Sequence, residues 1–416
     1  MIEATVKIEF VTPAFVGNDE PNNVALNEKA LKGLLRFWWR AFLSDPSWDY
    51  KKLFEEEEKI FGSQNKASSF SILIMERTEG NQGEFKSFLE SEERRYRKKF
   101  FGIKYLFYTK MRKARGAVDL PKFIEPGATY TIKFFAKDNN TMGEVLKALW
   151  FLENFGGIGS RSRRGAGSFV VKDIEISGHS HNNLVDISEK FLCNSKSNRN
   201  QIKDLIKGGI DSFTNSSRRS YNIPQFTSFS SHSKIGIYQN NSWISWLDAV
   251  NDIGNMFKNY RYYRNERFRE QASLLHQYFV DGKNREALES NPPDKVYFGL
   301  PITYSFKDKN DDVIKVIDRR GKEVNLTAKA EPDSMEDIGR RASPLFFRIG
   351  RFPVDNGNYY IVLSKFVSKF LPENAKVSVY LEVDENHEFH FYPKDQRMEQ
   401  VLNAFLDSLR GVQWIR

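Results

Sequence analysis

Hydrophobic residues in the first half of the chain alternate in some stretches and recur every three or four residues in others. Alternation predicts strands over 5–11, 70–74, 129–135 and 169–176, and the helical period predicts helices over 50–61 and 142–154. A further helix begins after Asn27, whose side chain suits an N-cap, and ends near Leu43. Taken as strand, helix, strand, insertion, strand, helix, strand, the order is βαββαβ, the ferredoxin-like plan.

The second half of the chain mixes the two patterns again. Strands are predicted near 233–238, 296–302, 340–349, 359–363 and 377–383, and helices near 201–207, 243–257, 265–280 and 396–409. The polar segment 178–200 separates the halves. We therefore expect an N-terminal domain at 1–177, a linker with a short helix at 178–220, and a decorated α+β domain at 221–416.

The first helix has an apolar side and a basic side. At about 100° per residue, its leucines, Trp38 and Phe42 share one side, and Lys29, Lys32, Arg36 and Arg40 share the other. Gly33 lies beside the basic stripe, where a missing side chain would let a partner approach the backbone. Trp39 flanks the stripe. The alternative is a solvated face with no partner.

The stretch 155–168 contains five glycines, three arginines and three serines between a predicted helix and a predicted strand. Such a loop suits backbone N–H groups that approach an anion while guanidinium groups supply charge and paired donors. The alternative is a long glycine C-cap with solvated arginines. A Walker loop and a dinucleotide fingerprint are both excluded by the spacing and the helix-to-strand order, which favours a phosphate-backbone polymer.

Two further runs interleave basic and aromatic residues. Residues 94–115 carry ten Lys or Arg and no Asp or Glu, and 258–269 is a second basic-aromatic run. Phosphate contacts with stacking rings between them would explain the first run. The alternative is a solvated helix followed by an edge strand that uses charge to prevent pairing. We place the basic-aromatic insertion at 80–125.

Composition narrows the classes of function. The net charge of +9 is modest for 416 residues, so the placement of charge matters more than its total. Cys193 is the single cysteine, which excludes an intramolecular disulfide and favours a reducing, cytoplasmic compartment. No apolar run is long enough for a membrane span. The six histidines lack metal-ligand spacing, and no hydrolase motif is present, so we expect no metal, no cofactor and no catalytic residue.

Four stretches in this order resemble the RAMP superfamily: Phe10-Val11-Thr12-Pro13, the helix segment 32–40, Ile60-Phe61-Gly62-Ser63 and the glycine-rich loop 156–167. Within it, the pattern is similar to the subunit-one family of the CRISPR type III-B Cmr effector complex. The resemblance implies two tandem ferredoxin-like (RRM-like) domains with insertions. It also implies an antiviral ribonucleoprotein subunit that contacts guide RNA near its 3′ end and target RNA, while another subunit cleaves the target. The histidine bases of related guide-processing endonucleases have no identifiable counterpart here.

The leading hypothesis is a non-catalytic subunit that binds single-stranded RNA and other RAMP-type subunits of the Cmr complex. The predicted RNA-binding residues are Lys32, Gly33, Arg36, Trp39, Arg40, Gly156, Gly157, Gly159, Ser160, Arg161, Arg163, Arg164, Gly165 and Gly167. Further contacts to RNA or a subunit are expected from Arg94, Arg95, Arg97, Lys98, Lys99, Arg112, Lys113, Arg261 and Arg264. Two alternatives stay open: a metal-independent endoribonuclease of the same fold, and a purely structural subunit.

Overall fold

The computed structural model describes residues 1–17, 24–77, 83–113, 120–178, 182–196, 201–214, 222–306, 313–317, 323–333, 340–352 and 358–415. Elements of the first part are β1 (Ile2–Phe10), α1 (Glu28–Phe42), α2 (Tyr50–Phe61), β2 (Phe70–Arg77), α3 (Phe85–Arg95), α4 (Phe101–Leu106), β3 (Thr129–Ala136), α5 (Asn139–Phe155), β4 (Phe169–Ser177), α6 (Asn182–Lys196) and α7 (Ile202–Phe213). A 3-10 turn, Tyr108–Lys110, follows α4.

The first sheet has the strand order β2-β3-β1-β4, and every neighbouring pair is antiparallel. This order, with α1 and α5 as the two crossover helices, gives the predicted βαββαβ connectivity. Alternate residues of β1 are fully buried, as the period of two requires: Ala4, Val6, Ile8 and Phe10 are all at 0% exposure. Asn27 caps α1, because its side chain accepts a 2.7 Å hydrogen bond from the N–H of Ala30.

The predicted linker 178–220 contains two helices, α6 and α7, that pack on the first domain. α6 lies against β4 and α5. Leu184, Ile187 and Phe191 are buried in α6, as are Ile202 and Ile206 in α7. Apolar residues at helical spacing within a polar composition are enough to hold both helices to the core. The polar composition that indicated a linker therefore belongs to the solvent side of packed helices.

Elements of the second part are β5 (Lys234–Gln239), α8 (Trp246–Asn259), α9 (Glu266–Phe279), α10 (Arg285–Ser290), β6 (Ile302–Ser305), β7 (Lys315–Ile317), β8 (Glu323–Asn325), β9 (Thr327–Asp333), β10 (Leu345–Arg351), β11 (Tyr359–Lys365), β12 (Lys376–Leu381), β13 (Asp384–Phe391), α11 (Asp395–Asp407) and β14 (Gln413–Trp414). A π-helical turn, Tyr260–Arg264, and a 3-10 turn, Asp294–Phe298, flank α9 and α10. The predicted strand near 296–302 is thus mostly a 3-10 turn that precedes β6.

A second sheet repeats the topology of the first. Its order is β10-β11-β5-β14, and the pairs are antiparallel. In chain order these strands, with α8 after the first and α11 before the last, are again βαββαβ. The α+β class is confirmed, and long insertions before β10 and before α11 explain why the sequence pattern of this repeat is difficult to see.

Compact units do not follow the predicted division. Unit 1 comprises 1–256, 345–368 and 411–416, and unit 2 comprises 257–344 and 369–410. The four strands of the second sheet belong to unit 1, and Ile235, Ile237 and Val362 share one hydrophobic core with the first sheet. Both helices of the predicted linker also lie inside unit 1.

Unit 2 is built from the insertions. It contains an antiparallel sheet of order β13-β12-β9-β6 and the two-stranded β7-β8 ribbon. Its helical part is fastened by Asp294, a buried acid that accepts hydrogen bonds from Arg267 at 2.6 Å and from Arg397 at 2.5 Å. A buried carboxylate held by two guanidinium groups satisfies its charge within the unit.

Candidate nucleic-acid interface

The glycine loop, residues 156–167, is a compact turn packed against the protein's own chain. Gly167 has φ of 64°, and a Cβ atom there would lie 1.9 Å from the carbonyl oxygen of Ile158. The other glycines have a positive φ or would place a Cβ within 3.0 Å of other atoms: Gly156, Gly157, Gly159 and Gly165. The close backbone approach that these glycines permit is therefore an approach to other parts of the same chain.

Backbone N–H groups of the glycine loop are predicted above to bind phosphate, and the structure gives seven of them acceptors within the protein. Gly167 donates to the carbonyl of Pro13 at 2.8 Å, and Ser160 donates to that of Phe15 at 2.9 Å. Other loop residues whose N–H groups donate to backbone carbonyls are Gly156, Ile158, Arg164, Gly165 and Ala166. An anion could bind these seven groups only by breaking the turn, whereas phosphate binding by the other N–H groups of the loop stays a prediction.

Two of the three loop arginines fasten the loop to its surroundings. The guanidinium carbon of Arg163 lies 4.5 Å from the ring centroid of Phe346 on β10 and 5.5 Å from that of Phe37 on α1. Arg164 donates from Nη1 to the carbonyl of Leu345 at 3.0 Å. The loop meets the first helix at Phe37, and both guanidinium groups are half-buried in packing contacts.

Arg161 takes a different direction, toward the insertion. Its guanidinium carbon lies 5.0 Å from the ring centroid of Tyr108, and its Nε donates to the Thr109 hydroxyl at 3.1 Å. Lys110 lies in the same 3-10 turn, with its Nζ 5.4 Å from the ring centroid of Phe15. We call Tyr108, Thr109, Lys110 and Arg161 the loop–insertion surface. The fold thus brings together two cationic side chains that are 51 positions apart in sequence.

The loop–insertion surface has an unbalanced positive charge. Across the residues that the structure describes, no carboxylate forms an ion pair with Lys110 or Arg161. Burial and the neighbouring Arg161 lower the pKa of Lys110. The Tyr108 ring beside them is 53% exposed. A bound anion would relieve the repulsion between the cations, and the open ring offers a face for a base.

The insertion that carries this surface is helical and anchored by a buried acid. Glu93 is 5% exposed and accepts hydrogen bonds from Lys104 at 2.8 Å, from Lys99 at 3.3 Å and from the N–H of Phe100 at 2.9 Å. Hydrogen bonding to these groups lowers the pKa of Glu93 against the opposing effect of burial, which is the largest single influence on it. This hydrogen-bonded arrangement fixes the turn between α3 and α4.

A close helix contact holds the insertion on unit 1. Gly102 of α4 faces Asn251 and Gly254 of α8, where a Cβ on Gly102 would lie 2.0 Å from the Asn251 carbonyl oxygen. The Gly102 N–H also donates to the Asn251 side chain at 2.9 Å. Two glycines facing each other allow the backbones to approach, so the insertion sits at a defined position on α8.

The remaining cations of the insertion are mostly on its surface. Exposed residues of the predicted set are Arg94, Arg95, Arg97, Lys98, Lys99, Arg112 and Lys113. Three of them pair with acids: Arg95 with Glu92, Lys98 with Asp248, and Lys99 with Glu93. The alternative of an edge strand is wrong for 94–113, which forms helices and turns. Arg115 and part of the predicted 80–125 insertion lie outside the described residues.

The basic side of α1 serves mainly to join α1 to α2. Glu57 of α2 is 1% exposed, and both oxygens of its carboxylate accept hydrogen bonds from Arg40. Arg36 lies 3.5 Å from the same carboxylate and donates to the carbonyls of Phe61 and Gly62 at 3.1 and 2.8 Å. Both guanidinium groups are therefore held by partners on α2 and the turn after it, although the Arg36 and Arg40 side chains remain 32% and 40% exposed. The sequence pattern of α1 shows its basic stripe but cannot show that Glu57 of α2 lies beside it.

Other predicted residues of α1 differ in accessibility. Trp39 is 4% exposed and donates from its indole nitrogen to Glu144 at 2.8 Å, so its predicted position beside the stripe on the surface is wrong. Lys32 lies over the Phe70 ring at 5.1 Å, and burial lowers its pKa. Gly33 is exposed, and nothing lies within 4 Å of where its Cβ would be. Among these residues Gly33 alone retains the open approach that its sequence position indicated.

The two predicted cations of the second basic run lie in unit 2. The Arg261 guanidinium carbon is 5.3 Å from the Phe257 ring centroid and 5.5 Å from that of Phe298. The side chain of Arg264 lies outside the described part of the structure. Sequence analysis missed Tyr108, Thr109 and Lys110 as site residues, although all three lie inside the basic-aromatic run. Contact with Arg161 distinguishes these three residues from the rest of the run, and the sequence does not show that contact.

Comparison with known proteins agrees with this architecture. The sequence profile of the RAMP superfamily matches residues 7–170, which include the glycine loop, strands β2 and β3 and parts of β1 and β4. The predicted resemblance to RAMP proteins is confirmed. Two relatives in Pyrococcus furiosus are CRISPR system Cmr subunits. Cmr1-2 is 28% identical over 182 residues, covering 41% of this chain and 96% of the relative. Cmr1-1 is 23% identical over 285 residues, covering 65% and 75%.

Solved structures of Cmr1 and of a Cmr-beta complex share the fold over nearly the whole chain. Apo Cmr1 from Pyrococcus furiosus aligns with a TM-score of 0.58 at 18% identity, over 100% of this chain and 98% of Cmr1. A chain of the type III-B Cmr-beta complex bound to cognate target RNA aligns with a TM-score of 0.51 at 12% identity, over 97% and 99%. At these identities the alignments establish fold alone.

None of the helices in the described part of the chain combines the length and apolar character that a membrane crossing requires. The described residues contain no cluster of three His, Cys, Asp or Glu side chains that could hold a metal ion.

Proposed function

We propose that this chain is an RNA-binding subunit of a type III-B Cmr effector complex, without catalysis of its own. It contacts guide RNA near its 3′ end, target RNA, or both, and it assembles with other RAMP-type subunits. Its RAMP profile match, its Cmr1 relatives and the Cmr-beta fold match support the assembly. The observation that carries RNA binding is the loop–insertion surface, where Lys110 and Arg161 lie beside the exposed ring of Tyr108.

The loop–insertion surface has the two parts that single-strand binding requires. Lys110 and Arg161 supply charge for phosphate groups, and this contact does not depend on base identity. Tyr108 supplies a face on which any base can stack. Thr109 orients Arg161 through its hydroxyl, so the guanidinium is fixed before RNA arrives. A fixed guanidinium loses less entropy on binding.

Loss of the two cations and loss of the Tyr108 ring should weaken RNA binding in different ways. The double variant Lys110→Gln, Arg161→Gln should lower the salt slope of log K by about 1.4, because each phosphate contact on a single strand contributes about 0.7. Tyr108→Ala should weaken binding at every salt concentration by about 1–3 kcal/mol and leave the slope unchanged. Tyr108→Phe should bind like wild type. Fluorescence anisotropy of a labelled single-stranded RNA over a salt series measures both quantities.

The matched control is Lys52→Gln, Lys59→Gln on α2. These lysines are exposed and paired with Glu56, and the variant removes the same charge as the double variant. Its salt slope should equal that of wild type. An unchanged slope for Lys110→Gln, Arg161→Gln, or an equal drop in the control, would refute the proposed phosphate contacts. Arg163 and Arg164 are poor substitutes for this test, because their loss would also disturb packing on β10.

Absence of catalysis has its own test. Labelled single-stranded RNA incubated with the purified chain should stay intact, both in EDTA and with added divalent cations. Cleavage that disappears on changing one histidine to alanine would replace this part of the proposal with the endoribonuclease alternative.

A further inference from the structure

Unit 2 contains a lysine held between aromatic rings without an acid. Lys295 lies in the 3-10 turn Asp294–Phe298, with its Nζ 4.3 Å from the ring centroid of Tyr262 and 5.9 Å from that of Tyr304. The Tyr262 ring is 48% exposed, and Tyr304 is buried. An open aromatic face therefore lies directly beside a partly buried ammonium group.

No carboxylate among the described residues balances this ammonium group. Asp294 is its neighbour in sequence, but the Asp294 carboxylate is held by Arg267 and Arg397. Burial lowers the pKa of Lys295 to about 8, and the nearby positive charge of Arg261 adds to the effect. Lys295 thus lies partly desolvated beside a second cation and without a described carboxylate, and an anion would stabilise its ammonium group.

A buried hydroxyl adds a second, independent observation. The Tyr304 Oη is inaccessible to solvent and has no hydrogen-bond partner within the described part of the chain. Burial raises the pKa of Tyr304, so the phenol stays protonated and keeps a donor to offer. Buried polar atoms without a partner are rare in folded proteins, and those that exist call for an explanation. A ligand oxygen that reaches the Tyr304 hydroxyl would satisfy it.

We propose that Lys295, Arg261 and Tyr304 form a phosphate-binding subsite, with Tyr262 as the stacking face for the base of the same nucleotide. The subsite lies wholly in unit 2 and shares no residue with the loop–insertion surface. It extends the proposed function and rests on it only for the source of the phosphate, which is an RNA strand or a free nucleotide. A phosphate is favoured over a carboxylate because only a nucleotide uses both the cations and the exposed ring.

The test uses the reactivity of lysines in the full-length protein. Trace acetylation with acetic anhydride, followed by mass spectrometry, gives the rate at Lys295 without ligand and with inorganic phosphate, AMP, a short single-stranded RNA or a poly-glutamate peptide. We expect RNA or AMP to slow acetylation of Lys295 several-fold, because a bound phosphate covers the amine. Exposed Lys207 on α7 should react equally fast in every sample and serves as the internal control.

Variants separate the two halves of the subsite. Tyr262→Ala should reduce protection by AMP and leave protection by inorganic phosphate unchanged, whereas Tyr262→Phe should keep both. Tyr304→Phe, which removes one buried oxygen and keeps the ring, should reduce both. Protection by RNA at concentrations where AMP has no effect assigns the phosphate to a strand, and the reverse assigns it to a free nucleotide.

Three results would overturn the subsite: no protection of Lys295 by any ligand, equal protection by AMP and inorganic phosphate, or protection by poly-glutamate as strong as that by RNA. The last would indicate an acidic protein segment. Normal RNA affinity with Lys295 unprotected would remove this inference and leave the proposed function standing. Protection of Lys295 by AMP in a protein that has no RNA affinity would remove the proposed function and leave the subsite standing.

Discussion

Gly167 and Gly33 form a pair of glycines for which one substitution should have opposite effects. Gly167→Ala must accept φ of 64° and a Cβ 1.9 Å from the Ile158 carbonyl oxygen. The left-handed conformation costs an L-residue about 1–2 kcal/mol. Moving the carbonyl also disturbs two 2.8 Å backbone hydrogen bonds, Gly167 to Pro13 and Ile158 to Gly167. At about 1 kcal/mol each, the total loss is roughly 3–4 kcal/mol.

Gly33→Ala is the control, since its Cβ enters open space in the middle of α1. The same added methyl should stabilise α1 by about 0.5–1 kcal/mol, because alanine loses less backbone freedom on folding. The variant also tests the predicted approach of a partner: weaker RNA binding in a more stable protein would place the partner at Gly33.

Amide hydrogen exchange read by mass spectrometry measures both effects locally. Peptides covering the glycine loop should exchange roughly 100- to 1,000-fold faster in Gly167→Ala, since every 1.4 kcal/mol is about tenfold. Peptides covering α1 should exchange more slowly in Gly33→Ala. If exchange in the loop of Gly167→Ala is unchanged and RNA binding is lost, the packing role is refuted, and the loop glycines would instead contact RNA.

Glu57→Gln should destabilise α2 by about 2 kcal/mol and so speed hydrogen exchange there. This is toward the lower part of the range for a charged hydrogen bond, because the guanidinium of Arg40 can partly rehydrate. The control Glu55→Gln, at an exposed position of the same helix, should leave exchange unchanged. Gly102→Ala should displace α4 from α8 and cost about 2 kcal/mol or more of folding stability. It should also weaken RNA binding, although Gly102 is not a proposed RNA contact. Unchanged RNA affinity would show that binding does not depend on the position of the insertion. Lys295 has a folded pKa of about 8, below its unfolded value of 10.5, so its charge destabilises the fold at low pH and this penalty fades as pH rises toward 10.5. Lys295→Met should accordingly raise stability by up to about 3 kcal/mol at pH 7 and by least near pH 10 in urea titrations, and a gain independent of pH would contradict the burial of the charge.

Local patterns were sufficient for the elements of the first sheet. Alternation over β1 and the Asn27 cap of α1 depend on nearest neighbours in the chain, so the sequence shows them directly. The repeat formed by β5, β10, β11 and β14 was harder, because insertions separate strands that pair in space. The linker at 178–220 failed for a related reason: composition records how polar a segment is and not which of its faces is buried.

The site shows the same limit at the level of single side chains. The sequence analysis assigned residues of the glycine loop and of the first helix to one RNA-binding set, and the structure brings the two stretches together at Arg163 and Phe37. It could not indicate that Arg36 and Arg40 are held by Glu57, which comes from another helix. Nor could it separate Arg161 from its neighbours, because three arginines in one turn differ only in direction.

What the sequence alone determined is the chemical inventory: a βαββαβ plan, a glycine loop that must bend, and cations mixed with aromatic rings. Tertiary structure decided which of those cations are balanced and which are not. An ion pair requires two groups within a few ångströms, and the acid in each pair comes from wherever the chain returns. The pairing of Arg40 and the unbalanced charge of Lys110 therefore became visible only when helices, turns and loops distant in sequence were brought into contact.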